Sequence, residues 1–439
     1  MHRRDFLAST AAAGLALSAG AFARDNDKKT YRAGLIGTGW YGMVDLRHLM
    51  DTGRAEVVAL CDVDKKNLNK AADEVASRQK DRPELFHDFR DLLKPKNLDI
   101  VLVGTPDHWH ALTAIAAMEA GADVYVEKPV SHTFLEGKAM VQTARKHERV
   151  VQVNTQRRST PHFIKAREFI KEGNLGRIGL VRAYTFYNMR AMDHVPDTDP
   201  PRTLDFDFWT GPAPLRHYNR LMHPRGWRNF LEYGNGILGD MGIHMLDAMR
   251  WILGARYPKK VSSMGGIFCS AKNGTANSTD TQTVTYDFGD FTAIWEHRMY
   301  GPPDKPEAGW GVNFYGDKGM MQLLIDSWDF YPWAGQGKHV HMDAVKDGPP
   351  DEKYETPDRK PAGRAHMRNF LKCVASRARP VADIEEGHIS TSLCELGNIS
   401  QKLGRSLTWD ADKEQCVGDE EANKLLSRPY RKPWVYPSA

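Results

Sequence analysis

Gly37-Thr38-Gly39-Trp40-Tyr41-Gly42 spells Gly-x-Gly-x-x-Gly directly after the apolar run Ala33-Gly34-Leu35-Ile36 and at the start of a helical stretch. In that setting the glycines permit a tight turn, close approach of backbone to a pyrophosphate, and close packing of helix on strand. The N–H groups at the helix start favour phosphate charge. A second apolar run, Glu56 to Cys61, ends at Asp62, 25 residues after Gly37. A carboxylate there can bind both ribose hydroxyls of a dinucleotide and repels a 2′-phosphate, so NAD is expected rather than NADP.

Three further groups of residues could carry chemistry. Thr105-Pro106-Asp107 ends the run Asp99 to Gly104. Ligands of open parallel sheets lie at the carboxyl ends of strands, so Thr105 and Pro106 are expected to line the cofactor groove. His110, one turn further on, reads equally as a packing or capping group and as a cofactor contact. Glu127-Lys128-Pro129 follows the run Asp123–Val126. Lys128 could reach a substrate lying over the nicotinamide; a surface lysine in a proline turn is the plain alternative. Lastly, Asp240, His244 and Asp247 fall at i, i+4 and i+7 beside an apolar stripe of Met241, Met245, Ala248 and Ile252. A carboxylate one turn from a histidine can fix its tautomer and raise its basicity. A capping aspartate followed by a core histidine is the more ordinary reading of the same residues.

These groups must be positioned by the elements around them. From Tyr31 to Val153 short apolar strands (33–36, 56–61, 99–103, 123–126, 150–153) alternate with helical stretches (41–50, 65–79, 107–120, 134–147), which predicts a doubly wound parallel sheet. After about Gln156 the pattern changes. A helix over 161–172 leads into a long strand over 178–188. Paired strands flank Gly289-Asp290 and Gly316–Gly319, and such pairs predict hairpins in a large, mostly antiparallel sheet. The stretch 335–361 reads as an irregular surface excursion. The expected division is a signal peptide over 1–23, a linker over 24–30, a dinucleotide-binding Rossmann domain over 31–155, and a C-terminal α/β domain with an open sheet over 156–439.

The signal rests on order: Arg3-Arg4-x-Phe6-Leu7, an Ala/Gly/Leu stretch, then Ala21-Phe22-Ala23. The arginine pair resembles a twin-arginine signal, although His2 and Ala8 depart from its usual residues. Export to the periplasm is therefore expected, with no membrane span remaining after cleavage. The 439 residues carry a net charge of +4 on 60 basic and 56 acidic side chains, too small an excess to suggest nucleic-acid binding. Five widely spaced cysteines make neither a disulfide framework nor a zinc site, and no metal is expected.

Taken together, Gly37–Gly42, Asp62, Thr105-Pro106, Glu127-Lys128-Pro129 and Asp240-x-x-x-His244 resemble the glucose–fructose oxidoreductase / inositol dehydrogenase / rhizopine-catabolism (Gfo/Idh/MocA) family. Leu204 to Pro214 and Gly226-Trp-Arg-Asn-Phe230 look like its exported branch. The resemblance covers about Tyr31 to Arg405. It implies a hydride-transferring enzyme acting on sugars or polyols, with the active site between the two domains. It also implies that Lys128 orients the reacting hydroxyl, that His244 is the acid/base, and that Asp240 is the partner of His244. Dimers or tetramers formed through the C-terminal sheet are implied as well. Gln156, Arg157, Trp227 and Arg228 are candidate sugar contacts, with an interdomain salt bridge equally open for Arg157 and core packing equally open for Trp227. Because the periplasm has no obvious pool of free NAD, a tightly held cofactor is expected. A redox-neutral glycosidase or lyase of the same family is the alternative activity. A non-enzymatic binding protein is disfavoured by the presence of Lys128, Asp240 and His244.

Overall fold

The computed structural model describes residues 29–186, 194–270, 275–302, 309–345 and 360–438. The expected signal segment lies outside these residues.

The first sheet has six parallel strands: β1 (Tyr31–Ile36), β2 (Ala55–Cys61), β3 (Glu84–Phe86), β4 (Ile100–Val103), β5 (Asp123–Val126) and β6 (Val151–Val153). Their order is β3-β2-β1-β4-β5-β6. Helices α1 (Trp40–Met50), α2 (Lys65–Arg78), α3 (Phe89–Leu93), α4 (Asp107–Glu119) and α5 (Phe134–Lys146) connect them. All four residues of β4 are buried, as an unbroken apolar run in a doubly covered parallel sheet should be. The strand order reverses between β1 and β4, which opens a crevice at their carboxyl ends. The alternating reading of the sequence misses β3 and α3, three and five residues long, because segments that short show no period.

The second sheet has ten strands in the order β14-β13-β12-β11-β7-β10-β9-β8-β15-β16. They are β7 (Ile178–Phe186), β8 (Lys260–Gly266), β9 (Thr281–Asp287), β10 (Thr292–Arg298), β11 (Trp310–Gly316), β12 (Gly319–Leu324), β13 (Ser327–Pro332), β14 (Val340–Asp343), β15 (Leu407–Asp410) and β16 (Gln415–Cys416). Among the described residues β7 and β10 pair in parallel and the other pairs are antiparallel. Both expected hairpins form, with Asp287 opposite Thr292 and Gly316 opposite Gly319. Helices α6 (Pro161–Lys171), α7 (Phe206–Thr210), α8 (Ile243–Leu253), α9 (Lys360–Ser376), α10 (Ile384–Leu403) and α11 (Glu420–Lys424) complete this half. Val284, Tyr286, Trp295, Val312 and Phe314 share one buried core with Met245, Leu246, Met249, Leu393 and Leu396 of α8 and α10.

Of the excursion expected at 335–361, residues 335–345 and 360–361 are among those described. Val340–Asp343 pairs with β13 and extends the sheet along that neighbour's free edge, a strand of only four residues, too short for its alternation to stand out in the sequence. Two later segments turn back to the first sheet. In α9, Met367, Phe370 and Leu371 join the core of Leu35, Leu60 and Leu102. Near the C-terminus, Trp434 stacks on Phe208 at 5.5 Å and meets Trp109 edge-on at 4.7 Å. The five cysteines are unpaired.

Candidate active site

The glycine turn lies at the crevice between β1 and β4, and its glycines do different work. Gly37 has a φ of +91°, and a Cβ there would lie 2.7 Å from the carbonyl carbon of Gly104. A Cβ on Gly42 would lie 2.1 Å from the Gly37 oxygen. These two positions, together with Gly104, allow α1 to press onto the β1 and β4 ends. Gly104 is a fourth glycine of the cradle that motif spacing does not reveal; its signal is only that it ends a strand. Gly39 is different: a Cβ there meets nothing within 4 Å. It caps α1 without any side-chain acceptor, so the helix N-terminus keeps its donors available for an anion.

Asp62, at the end of β2, accepts from the Thr38 N–H at 2.7 Å and the Thr38 hydroxyl at 2.9 Å. Burial raises its pKa, and it lines the groove. Thr105 lines the same groove, and its buried hydroxyl has no protein partner. An open cradle at Gly39, an uncapped helix, a ribose-height acid and an orphaned hydroxyl together fit a dinucleotide. The groove is lined by Gly37, Gly39, Trp40, Tyr41, Asp62, Thr105, Pro106, His110, Glu127 and Lys128, among others. Thr38 and Gly42 support it from behind, through Asp62 and by packing.

At the other end of the groove Lys128 is buried. Its Nζ donates to Asp240 Oδ1 at 3.0 Å and to the Asp240 carbonyl at 2.9 Å. Arg228 Nε donates to the same Oδ1 at 3.0 Å. Asp240 sits within a π-helical turn, Leu238–Gly242, just before α8. It therefore does not cap α8, which starts after Gly242, and the plain capping reading is removed. The Lys128 turn is held from below. Glu127 Oε2 accepts from the Lys128 N–H at 3.2 Å, and Glu127 Oε1 accepts from Asn154 Nδ2 at 2.5 Å. His110 bridges the two turns, with Nδ1 2.7 Å from the Pro129 carbonyl and Nε2 2.9 Å from that of Thr105. Burial lowers its pKa, against the pull of the two carbonyls, and the ring also lines the groove wall.

Asp107 was named in the sequence only as part of its turn, yet it is a buried groove residue. Loss of hydration raises its pKa to about 8, against the pull of Arg228 and Lys128. The Asn235 N–H donates to its Oδ2 at 3.2 Å. At neutral pH it is therefore mostly an uncharged acid.

The expected polar stripe on α8 divides. His244 is buried beside the ring of Trp310, edge-on at 5.4 Å. Asp247 leaves the site: it pairs with buried Arg158 at 2.8 Å and accepts from the Ser390 hydroxyl at 2.7 Å. Arg158, rather than Arg157, thus makes the buried ion pair, and it does so within the C-terminal half, with Asp247 and Glu386. The Arg157 guanidinium instead lies over Trp310 and Phe163, at 5.2 and 5.6 Å from the ring centres. Gln156, in the same short turn, has a buried Oε1 without a protein partner. Neither Gln156 nor Arg157 lines the cofactor groove; Arg157 reaches Trp310, the ring that His244 meets edge-on. Trp227 lines the groove and also packs with Phe206, Trp209 and Phe230, and Arg228 lies over its ring at 4.1 Å. No helix among the described residues is long and apolar enough to cross a membrane.

Comparison with known proteins agrees with this geometry. One family model, described as an oxidoreductase family with an NAD-binding Rossmann fold, matches residues 31–155. A second, the C-terminal alpha/beta domain of the oxidoreductase family, matches 179–294 and 337–436. Inositol 2-dehydrogenase of Salmonella typhimurium is 29% identical over 177 residues, 40% of this chain and 50% of that enzyme. The chain thus spans about half the length of that curated relative. A glycosyl hydrolase family 109 protein of Stenotrophomonas maltophilia is 39% identical over 136 residues, 29% of either chain. A solved levoglucosan dehydrogenase, in complex with NADH and levoglucosan, superposes with a TM-score of 0.66 at 19% identity, covering 87% of this chain and 99% of that one. The two matched models, the six-stranded Rossmann sheet and the glycine cradle place this chain in the Gfo/Idh/MocA family of oxidoreductases, with an NAD-binding N-terminal domain.

Proposed function

We propose that this protein is an NAD-dependent oxidoreductase of a sugar or sugar derivative, exported by the twin-arginine route and working in the periplasm. The observation that carries the reading is the buried Lys128–Asp240 pair at the end of the groove, with Arg228 on the same carboxylate. Held by the Gly37–Gly42 turn, Asp62 and Thr105, NAD would supply the hydride acceptor for the carbon that bears the reacting hydroxyl. Lys128 and Arg228 against a single carboxylate leave the cluster with net positive charge, because Asp107 is uncharged at neutral pH. That charge stabilises a hydroxyl oxygen as it loses its proton, and in a dry site such preorganised charge is worth most. Asp240 fixes the direction of the Lys128 ammonium, which holds the oxygen. His244, one turn after Asp240, takes the proton; an imidazole has the basicity this step requires. Gln156, Arg157, which reaches the Trp310 ring beside His244, and Trp227 and Arg228, at the groove wall, are the candidate sugar contacts. The C-terminal sheet is the proposed dimer or tetramer contact.

Replacing Lys128 or His244 with Ala should abolish turnover across a sugar panel while NADH still binds. Full activity in both variants overturns the assignment. The stretch shared with the glycosyl hydrolase family 109 protein supports a second reading, a redox-neutral glycosidase or lyase. Mass spectrometry of products formed without added NAD separates the two: a ketosugar supports the dehydrogenase, and a cleaved glycoside of unchanged oxidation state supports the hydrolase.

A further inference from the structure

The roof over the cofactor groove comes from the second half of the chain. Beyond β7 the backbone returns to the first sheet and is pinned at the end of β2. Lys65 N–H donates to the Thr203 carbonyl at 2.9 Å, and Asp205 N–H to that of Val63 at 3.0 Å. Further along, His223 Nε2 meets Asp64 Oδ2 at 2.9 Å. Asp64 is also the N-cap of α2, so this anchor is tied to a fixed point. A tight turn follows, in which a Cβ on Gly226 would lie 1.9 Å from the Leu221 carbonyl oxygen. The turn carries Arg225 to the groove, its Cζ 3.8 Å from the centre of the Trp40 ring.

Trp40 is the first residue of α1, next to the open position at Gly39. A dinucleotide pyrophosphate carries two negative charges. The cradle answers them with backbone dipoles, equivalent to roughly half a positive charge, and the Asp62 carboxylate stands beside it. Lys128 and Arg228, the other lysine and arginine of the lining, share Asp240 at the far end. The cation that stands over the first turn of α1 is Arg225. A guanidinium can stack on an indole and still present its N–H fork to phosphate oxygens.

We propose that Arg225 is a ligand of the cofactor's pyrophosphate and that residues 221–228 form a clasp which keeps the dinucleotide bound from one turnover to the next. This rests on the NAD-binding domain and not on the identity of the substrate. The test uses the full-length protein stripped of nucleotide and its R225A variant. Arg225 is exposed, so its loss should leave the fold intact, and a thermal unfolding curve checks this. Binding of ADP-ribose, NADH and adenosine is measured by calorimetry, and release of bound NADH by stopped-flow fluorescence. Loss of a charge-assisted bond should weaken ADP-ribose and NADH by about tenfold or more. NADH should leave correspondingly faster, and adenosine should bind as before. R225K should recover part of the loss. Unchanged ADP-ribose affinity in R225A overturns the proposal. So does an equal loss for adenosine and ADP-ribose, because Arg225 would then act on the shape of the groove and not on the phosphates.

Discussion

The uncharged acid at Asp107 gives a quantitative prediction. Its carboxyl has a pKa of about 8 in the folded protein against 3.8 for the free group. A folded pKa raised in this way means that the stability available below pH 3.8 is lost as pH climbs toward 8, since the unfolded chain releases the proton first. At about 1.4 kcal/mol per pH unit, the penalty reaches an upper bound of about 4 kcal/mol at pH 7 and levels off above pH 8. Asp107→Asn keeps the shape of the neutral acid and an acceptor for the Asn235 N–H. Water entering the groove relieves part of the charge cost, so a gain of about 2 kcal/mol at pH 7 is the expected result. The assay is equilibrium urea unfolding of nucleotide-free parent and variant at pH 5, 7 and 8.5. The difference between them should be smallest at pH 5 and grow with pH. A difference that does not change with pH, or a variant less stable throughout, refutes the reasoning.

Other substitutions probe the same frame. Gly39→Ala should leave thermal stability near the parent's and weaken NADH binding, whereas Gly42→Ala, whose Cβ would meet the Gly37 oxygen at 2.1 Å, should lower both; equal behaviour of the two in melting and titration would contradict the assigned roles. Arg158→Met strands the buried Asp247 carboxylate and should cost about 3–5 kcal/mol, read as a large drop in melting temperature; a drop of only a degree or two argues against the pair as an anchor of the C-terminal half. Asp62→Ser removes the acid at the ribose position and should narrow the preference for NADH over NADPH in binding titrations; an unchanged ratio means that another group sets it.

Much of the first domain is local in origin. The central strands of the parallel sheet carry contiguous apolar runs, β4 being one throughout, and the glycine spacing needs only six adjacent residues, so both can be read without a partner. The hairpins at Gly289 and Gly316 are local for the same reason. What could not be read depends on neighbours. β14 lies along the edge that β13 offers, and α9 packs on the first sheet although it lies more than 200 residues beyond its last strand.

The active site divides along the same line. Residue types and spacing marked Lys128, Asp240 and His244 as candidates beside plainer readings, the family resemblance favoured them, and the glycine turn with Asp62 and Thr105 located the groove. They could not show that Asp240 turns to Lys128, 112 residues away, rather than capping a helix. Nor could they show that Asp247, on the same helix, turns to Arg158, or that Arg157 stacks where its neighbour forms the ion pair. Adjacent residues point in different directions, and which direction meets a charge depends on distant segments brought together by folding. The altered protonation of Asp107 has the same origin, because dehydration is a property of the closed groove and not of the tripeptide that contains it. The sequence by itself therefore determined the cofactor cradle and the chemical inventory, both written in contiguous residues. Tertiary structure alone decided which charges face one another, since electrostatic pairing acts through space and burial sets its strength.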